Sequence, residues 1–167
     1  FKLHPREMVQ ILDDSGASVV FASPKIAAGL APETSVPIEV IGEPAYESRF
    51  AASAVAAPVT DPATLAWLFY TSGTTGKSKG AMLSHRNLMA MTVSHLADFD
   101  SPDENSSLIH GAPMSHGSGL YVPPYVLRAA RQVIPASGAF EPDEFLDLCE
   151  HYPNSSAFLA PTMVQRL

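Results

Sequence analysis

Apolar positions along this chain alternate between two periods. In "HPREMVQILDDSGA", Met8, Ile11 and Leu12 recur at i, i+3 and i+4 behind Pro5, and Gly16 stands where such a helix should end. "SVVFAS" (18–23) reads as a short buried strand. A helical turn and a second strand at "IEVIG" (38–42) follow, giving a β–α–β rhythm. Residues 43–64 are rich in Pro and Ala with weak periodicity, as in a surface connection. "LAWLFY" (65–70) and "GAMLS" (80–84) are extended runs on either side of a polar stretch. Ser84 is the predicted N-cap of a helix that buries Leu88, Met89, Thr92, Val93 and Leu96. "SSLIHGAP" (106–113) reads as a buried strand entering a Gly/Pro/Ser/His loop. Residues 119–130 read as helical, provided Pro123 and Pro124 fall in a first turn. The strand "RQVIP", a helix from Pro142, the strand "SSAFLAP" and a helix from Pro161 complete the series. The alternation predicts an α/β fold, a largely parallel sheet flanked by helices.

Composition narrows the classes of function. Hydrophobic residues make up 46% and charged residues 16%, as in a globular chain. Ten Lys and Arg against 17 Asp and Glu give a net charge of −7, which argues against nucleic acid as a partner. Any phosphate site must then be built locally, from backbone N–H groups and a lysine or two. No apolar run nears the ~18 residues of a membrane span, and Lys2, His4, Arg6 and Glu7 interrupt any signal-peptide core. A single cysteine, Cys149, allows no internal disulfide; with Phe145, Leu146 and Leu148 around it, it reads as unreactive packing. A reducing, cytoplasmic setting is expected. The start on Phe1 and the end inside an apparent helix lead to the expectation of a piece of a longer protein.

"FYTSGTTGKSKGAMLSHRN" (69–87) carries the most chemistry. Thr71, Ser72, Thr74 and Thr75 offer hydroxyls, Gly73, Gly76 and Gly80 let the main chain approach an oxyanion, and Lys79 supplies a compact charge. An ordinary turn needs one or two such residues, not eight. Gly76-Lys77-Ser78 suggests the NTPase phosphate loop, but that motif requires a glycine at position 71, which is Thr, and a helix directly after Lys-Ser. Here the chain runs on as "KGAMLS", so the NTPase reading fails. Other motifs fare no better. His85 and His95 are ten apart, off the i+4 spacing of a helical zinc pair. "HGSGL" lacks the first glycine of G-x-S-x-G, having His116 there, so Ser118 is not read as a hydrolase nucleophile.

The stretch resembles the phosphate-loop signature of the adenylate-forming (AMP-binding) superfamily, which includes acyl-CoA synthetases, luciferases and peptide-synthetase adenylation domains. Thr71 to Gly76, Lys79, Gly80, Ser84, His85 and Asn87 match it, while Ser78 stands where proline is usual. "LHPREMVQILDDSGASVVF", "APMSHGSGL" and "GAFEPDEFLDLCEHYPNSSAFLAPTMVQRL" resemble the segments before and after the loop, so the likeness covers essentially the whole chain. It implies residues 1–167 as a single partial domain, part of the large N-terminal ATP- and acyl-binding domain of an acyl-CoA synthetase-like fold, without the C-terminal lid domain. It also implies activation of a fatty or aryl acid as acyl-adenylate, with ATP, Mg2+ and coenzyme A. Thr71, Ser72, Gly73, Thr74, Thr75, Gly76 and Lys79 would hold the β- and γ-phosphates; His116, Gly117 and Gly119 would face the carboxylate substrate. His85 would serve the helix start. The family's adenine motif, ribose motif and catalytic lysine have no counterpart in these residues, so no catalytic residue or metal ligand is assigned and the chain is expected to be inactive alone. Two alternatives stay open: a non-catalytic α/β nucleotide- or anion-binding module, and an adenylation domain with a different acid and acceptor.

Overall fold

The computed structural model describes residues 3–71 and 78–167. The chain divides into two compact units, residues 1–60 with 70–80, and residues 61–69 with 81–167.

In the first unit the helix α1 (Pro5–Ser15) begins with a proline in its first turn and a capping box between His4 and Glu7. It stops at Gly16, whose φ of 63° lets its N–H reach back to the carbonyls of Leu12 and Asp13. β1 (Val20–Ala22), α2 (Pro24–Leu30) and β2 (Ile38–Val40) form the expected β–α–β unit, with β1 and β2 parallel and Val20 opposite Ile38. Leu12, Ala22, Ala27 and Leu30 are its buried apolar residues. β1 is less buried than its apolar run suggests: Phe21 is 52% exposed, because a two-stranded ladder shelters one face only. Its ring leans edge-on against Tyr46, which meets Phe50 in the same way. Both partners lie in the 43–64 connection, which holds a short helix α3 (Pro44–Glu47) and a 3-10 turn at Ser48–Ala51.

The strands β3 (Leu65–Thr71) and β4 (Lys79–Ser84) pair with each other. Ser84 then caps α4 (His85–Asp98): its hydroxyl oxygen accepts from the Asn87 N–H at 3.2 Å, and its own N–H donates to Asn87 Oδ1 at 3.0 Å. Two of the helix's first donors are thus satisfied reciprocally. Replacing Ser84 by alanine should cost about 1 kcal/mol, read as a lowered urea midpoint at unchanged slope.

In the second unit, β5 (Ser107–Ile109) lies between β6 (Arg131–Val133) and β7 (Ser155–Ala157), all parallel. Successive side chains of a strand point to opposite faces, and β5 shows it. Leu108 packs with Tyr125 of α6 (Val122–Leu127) and Ala130, whereas Ile109 packs with Val133, Phe140 and Phe145 of α7 (Pro142–His151). Helices therefore cover both faces, as the pattern predicted. Pro123 and Pro124 do sit in the first turn of α6, and Pro142 opens α7. Cys149 packs at the margin of the Ile109 cluster. Two short helices, α5 (Gly117–Leu120) and α8 (Pro161–Val164), complete the set.

The buried face of α4 differs from the expectation. Thr92 and His95 are buried, while Met89 and Val93 are 56% and 55% exposed. The His95 ring lies among Phe99, Tyr121 and Tyr125, with centroids 5.2–5.9 Å away, so an aromatic cluster rather than the count of aliphatic residues fixes the helix's rotation. Just beyond α4, Asp100 accepts hydrogen bonds from the Tyr125 hydroxyl and from Ser156 Oγ, tying α6 and β7 to the end of that helix.

The Asp100–Tyr125 pair sets a pH dependence. The Tyr125 hydroxyl holds the Asp100 carboxyl below the usual carboxylate range. Burial, and then the hydrogen bond to Asp100, push Tyr125 up to about 12. The Asp100 contribution is present above the ordinary value near 3.9 and lost as pH falls through the lowered one. That of Tyr125 is present below about pH 10 and lost as pH rises through about 12. Tyr125→Phe should cost about 1.5–3 kcal/mol at neutral pH and flatten the alkaline limb, which urea melts from pH 7 to 12 will show.

Candidate functional site

The polar stretch between β3 and β4 is described at its two ends. Ser72, Gly73, Thr74, Thr75 and Gly76 lie outside the described residues. Thr71 closes β3 and Lys79 opens β4, and both side chains are exposed. Lys79 is exposed and forms no ion pair with any described residue. No Asp or Glu occurs anywhere in 71–80. The donors on offer are hydroxyls, main-chain N–H groups and an ammonium, a set suited to phosphate oxygens.

Tyr70 fixes the base of the stretch. Its hydroxyl donates to Asp14 Oδ2 at 2.7 Å, and this hydrogen bond raises the phenol above its ordinary value. Its ring lies over Gly80: a β-carbon there would meet the ring carbons at 3.0–3.4 Å. The open cleft beside it, about 440 Å³, is lined by Gln10, Ile11, Asp13, Asp14, Tyr70 and Ser78. Two carboxylates on its wall make that cleft unfavourable for an anion.

In the second unit the segment after β5 leaves the carboxyl edge of the parallel strands, where open α/β sheets place ligands. His116 precedes α5 with its ring exposed, 6.1 Å from the Phe69 ring and with Ser115 Oγ 3.2 Å from its Nδ1. The space left by the glycines is filled by the chain itself. A β-carbon on Gly117 would meet the Phe158 ring at 2.6 Å, and one on Gly119 would stand 1.8 Å from the Met114 carbonyl oxygen and 3.0 Å from Trp67. Ser118, between them, has no exposed surface and bonds to His110, so its hydroxyl is out of reach of any substrate. His85 opens α4, with its backbone N–H on the Thr64 carbonyl. Among the described residues no group of three or more His, Cys, Asp or Glu could hold a metal, and no helix is long and apolar enough to cross a membrane.

The sequence pattern of the AMP-binding enzyme family matches residues 1–167. The chain belongs to the AMP-binding enzyme family. Among its relatives is a feruloyl-CoA synthase from Amycolatopsis, 31% identical over all of this chain and 33% of its own length. Among solved structures of the family, ATP-bound MatB from Rhodopseudomonas palustris superposes with a TM-score of 0.79 at 30% identity, over 99% of this chain and 34% of that one. The o-succinylbenzoate coenzyme A synthetase MenE from Bacillus subtilis, in complex with AMP, shares the fold at 21% identity, with a TM-score of 0.80, covering 99% of this chain and 42% of that one. This AMP-binding chain spans about a third of the length of the curated relatives it matches first.

Proposed function

We propose that this chain is the phosphate-loop and acyl-pocket part of an ATP-dependent ligase. The ligase activates a fatty or aryl carboxylic acid as its acyl-adenylate and passes the acyl group to the thiol of coenzyme A. What carries the reading is the family match over the whole chain, together with the exposed Lys79, which pairs with no described residue, at the end of a stretch rich in hydroxyls and glycines. The feruloyl-CoA synthase among the relatives supports an aryl acid.

In this reading Thr71, Ser72, Gly73, Thr74, Thr75, Gly76 and Lys79 donate to the β- and γ-phosphates of ATP. Attack by a carboxylate oxygen on the α-phosphorus breaks the bond to the bridging oxygen, and negative charge grows on the departing pyrophosphate. Pre-aimed donors stabilise that charge more than the ground state, which is electrostatic catalysis without a covalent role for the protein. Magnesium would neutralise phosphate charge, but residues 71–80 carry no carboxylate for it, so no step is assigned to metal ligation here. His116, Gly117 and Gly119 form the turn that faces the carboxylic acid.

The test is carboxylate-dependent ATP–pyrophosphate exchange by the complete gene product. A panel of cinnamic and benzoic acids, medium- and long-chain fatty acids, and amino acids supplies the carboxylate. Exchange with an aryl or fatty acid, followed by thioester formation with coenzyme A, is the expected result. Exchange with amino acids only would replace this reading by that of an adenylation domain with another acceptor. No exchange with any acid, alongside nucleotide binding, would leave a non-catalytic binding module.

A further inference from the structure

His110 follows β5 directly and is 5% exposed, one of the few buried polar side chains among the described residues. Its backbone N–H donates to the Val133 carbonyl at 2.9 Å, and both ring nitrogens are engaged. Nε2 lies 2.9 Å from Gln132 Oε1 on β6, and Nδ1 lies 2.7 Å from Ser118 Oγ. A carboxamide oxygen only accepts, so Nε2 carries the hydrogen, and in the neutral ring Nδ1 accepts the Ser118 proton. One imidazole thus joins two strands of the parallel sheet to α5. Ser118 sits two residues beyond His116, and the Gly119 N–H closes that turn on the His116 carbonyl at 3.0 Å.

A Ser–His contact of this length would suggest a nucleophile, but Ser118 has no exposed surface. Its hydroxyl is a fastening. The turn from Met114 to Gly119 also holds the exposed His116 ring, and among the described residues that ring's polar contact is with its neighbour Ser115. The sheet-side anchor of the turn is therefore His110.

We propose that His110 is a positioning residue for acid recognition: through Ser118 it holds the 114–119 turn, and with it His116, in place at the carboxylic acid. The proposal rests on the role given to His116 above.

Two readouts on the complete gene product separate this proposal from that reading. Ser118→Ala removes one oxygen and is the variant least able to disturb folding; His110→Ala and the double variant accompany it. Amide hydrogen exchange across residues 111–121 should accelerate about tenfold in each variant, with exchange across α4 and α7 unchanged. In ATP–pyrophosphate exchange, the KM for the acid should rise about tenfold while the KM for ATP stays within about twofold. The double variant should match the worse single one, since both substitutions break the same link. Unchanged protection over 111–121, or a KM for ATP rising in step with that for the acid, overturns the proposal. Should the unaltered protein show no carboxylate-dependent exchange, the ligase reading falls, and hydrogen exchange alone still decides whether His110 holds the turn.

Discussion

Lys79→Ala, introduced into the complete gene product, should lower carboxylate-dependent ATP–pyrophosphate exchange by about a hundred- to a thousandfold, the usual loss when one donor to a developing charge is removed. Folding stability should change by less than about 0.5 kcal/mol, because the side chain is exposed and pairs with no described residue. That combination is diagnostic: activity falls while the urea midpoint does not. Lys77→Ala serves as the control. It carries the same charge two residues earlier but is not among the residues assigned to the phosphates, so its loss should be small. If Lys79→Ala retained more than a third of the exchange rate, or if Lys77→Ala cost as much, the assignment of Lys79 to the phosphates would be wrong.

A larger effect on folding is expected at Gly119. A β-carbon there would lie 1.8 Å from the Met114 carbonyl oxygen, inside bonding-range repulsion, and 3.0 Å from Trp67. The obstacle is a main-chain atom, so no rotamer change relieves it and the turn itself must move. Gly119→Ala should therefore destabilise by about 3–5 kcal/mol, at the upper end for single substitutions. Gly138→Ala provides the contrast. Its φ of 66° is unfavourable for alanine, but nothing lies within 4 Å, so the cost should be the left-handed penalty of about 1–2 kcal/mol. Urea denaturation of the two variants side by side decides the matter. Equal midpoints would mean that the 114–119 turn relaxes freely, and the crowding described here would not constrain it.

The sequence made the elements legible because their signals are local. Pro5, Pro142 and Pro161 stand at helix starts, Gly16 at a helix end, and Ser84 at a cap. What escaped is set by partners far away in the chain. The rotation of α4 depends on Tyr121 and Tyr125, more than 25 residues on, so an apolar count placed Met89 and Val93 inside and left His95 out. Strand periodicity likewise does not say into how many ladders the strands assemble; the described residues form three separate ones. For the candidate site, the density of hydroxyls and glycines in 71–80 was readable as something other than a turn, and its phosphate role is the reading proposed above. His110 was not, since its partners lie 8 and 22 residues away and no spacing announces them.

The ring of Tyr70 over Gly80 has a consequence for how these positions vary among relatives. A β-carbon at 80 would stand 3.0–3.4 Å from the ring carbons of Tyr70, so the ring would have to give by a few tenths of an ångström and a change at one site is felt at the other. Alanine or serine at position 80 should be more frequent in sequences where position 70 is small. The pair should therefore change together as one inherited unit, with glycine at 80 following the aromatic ring at 70.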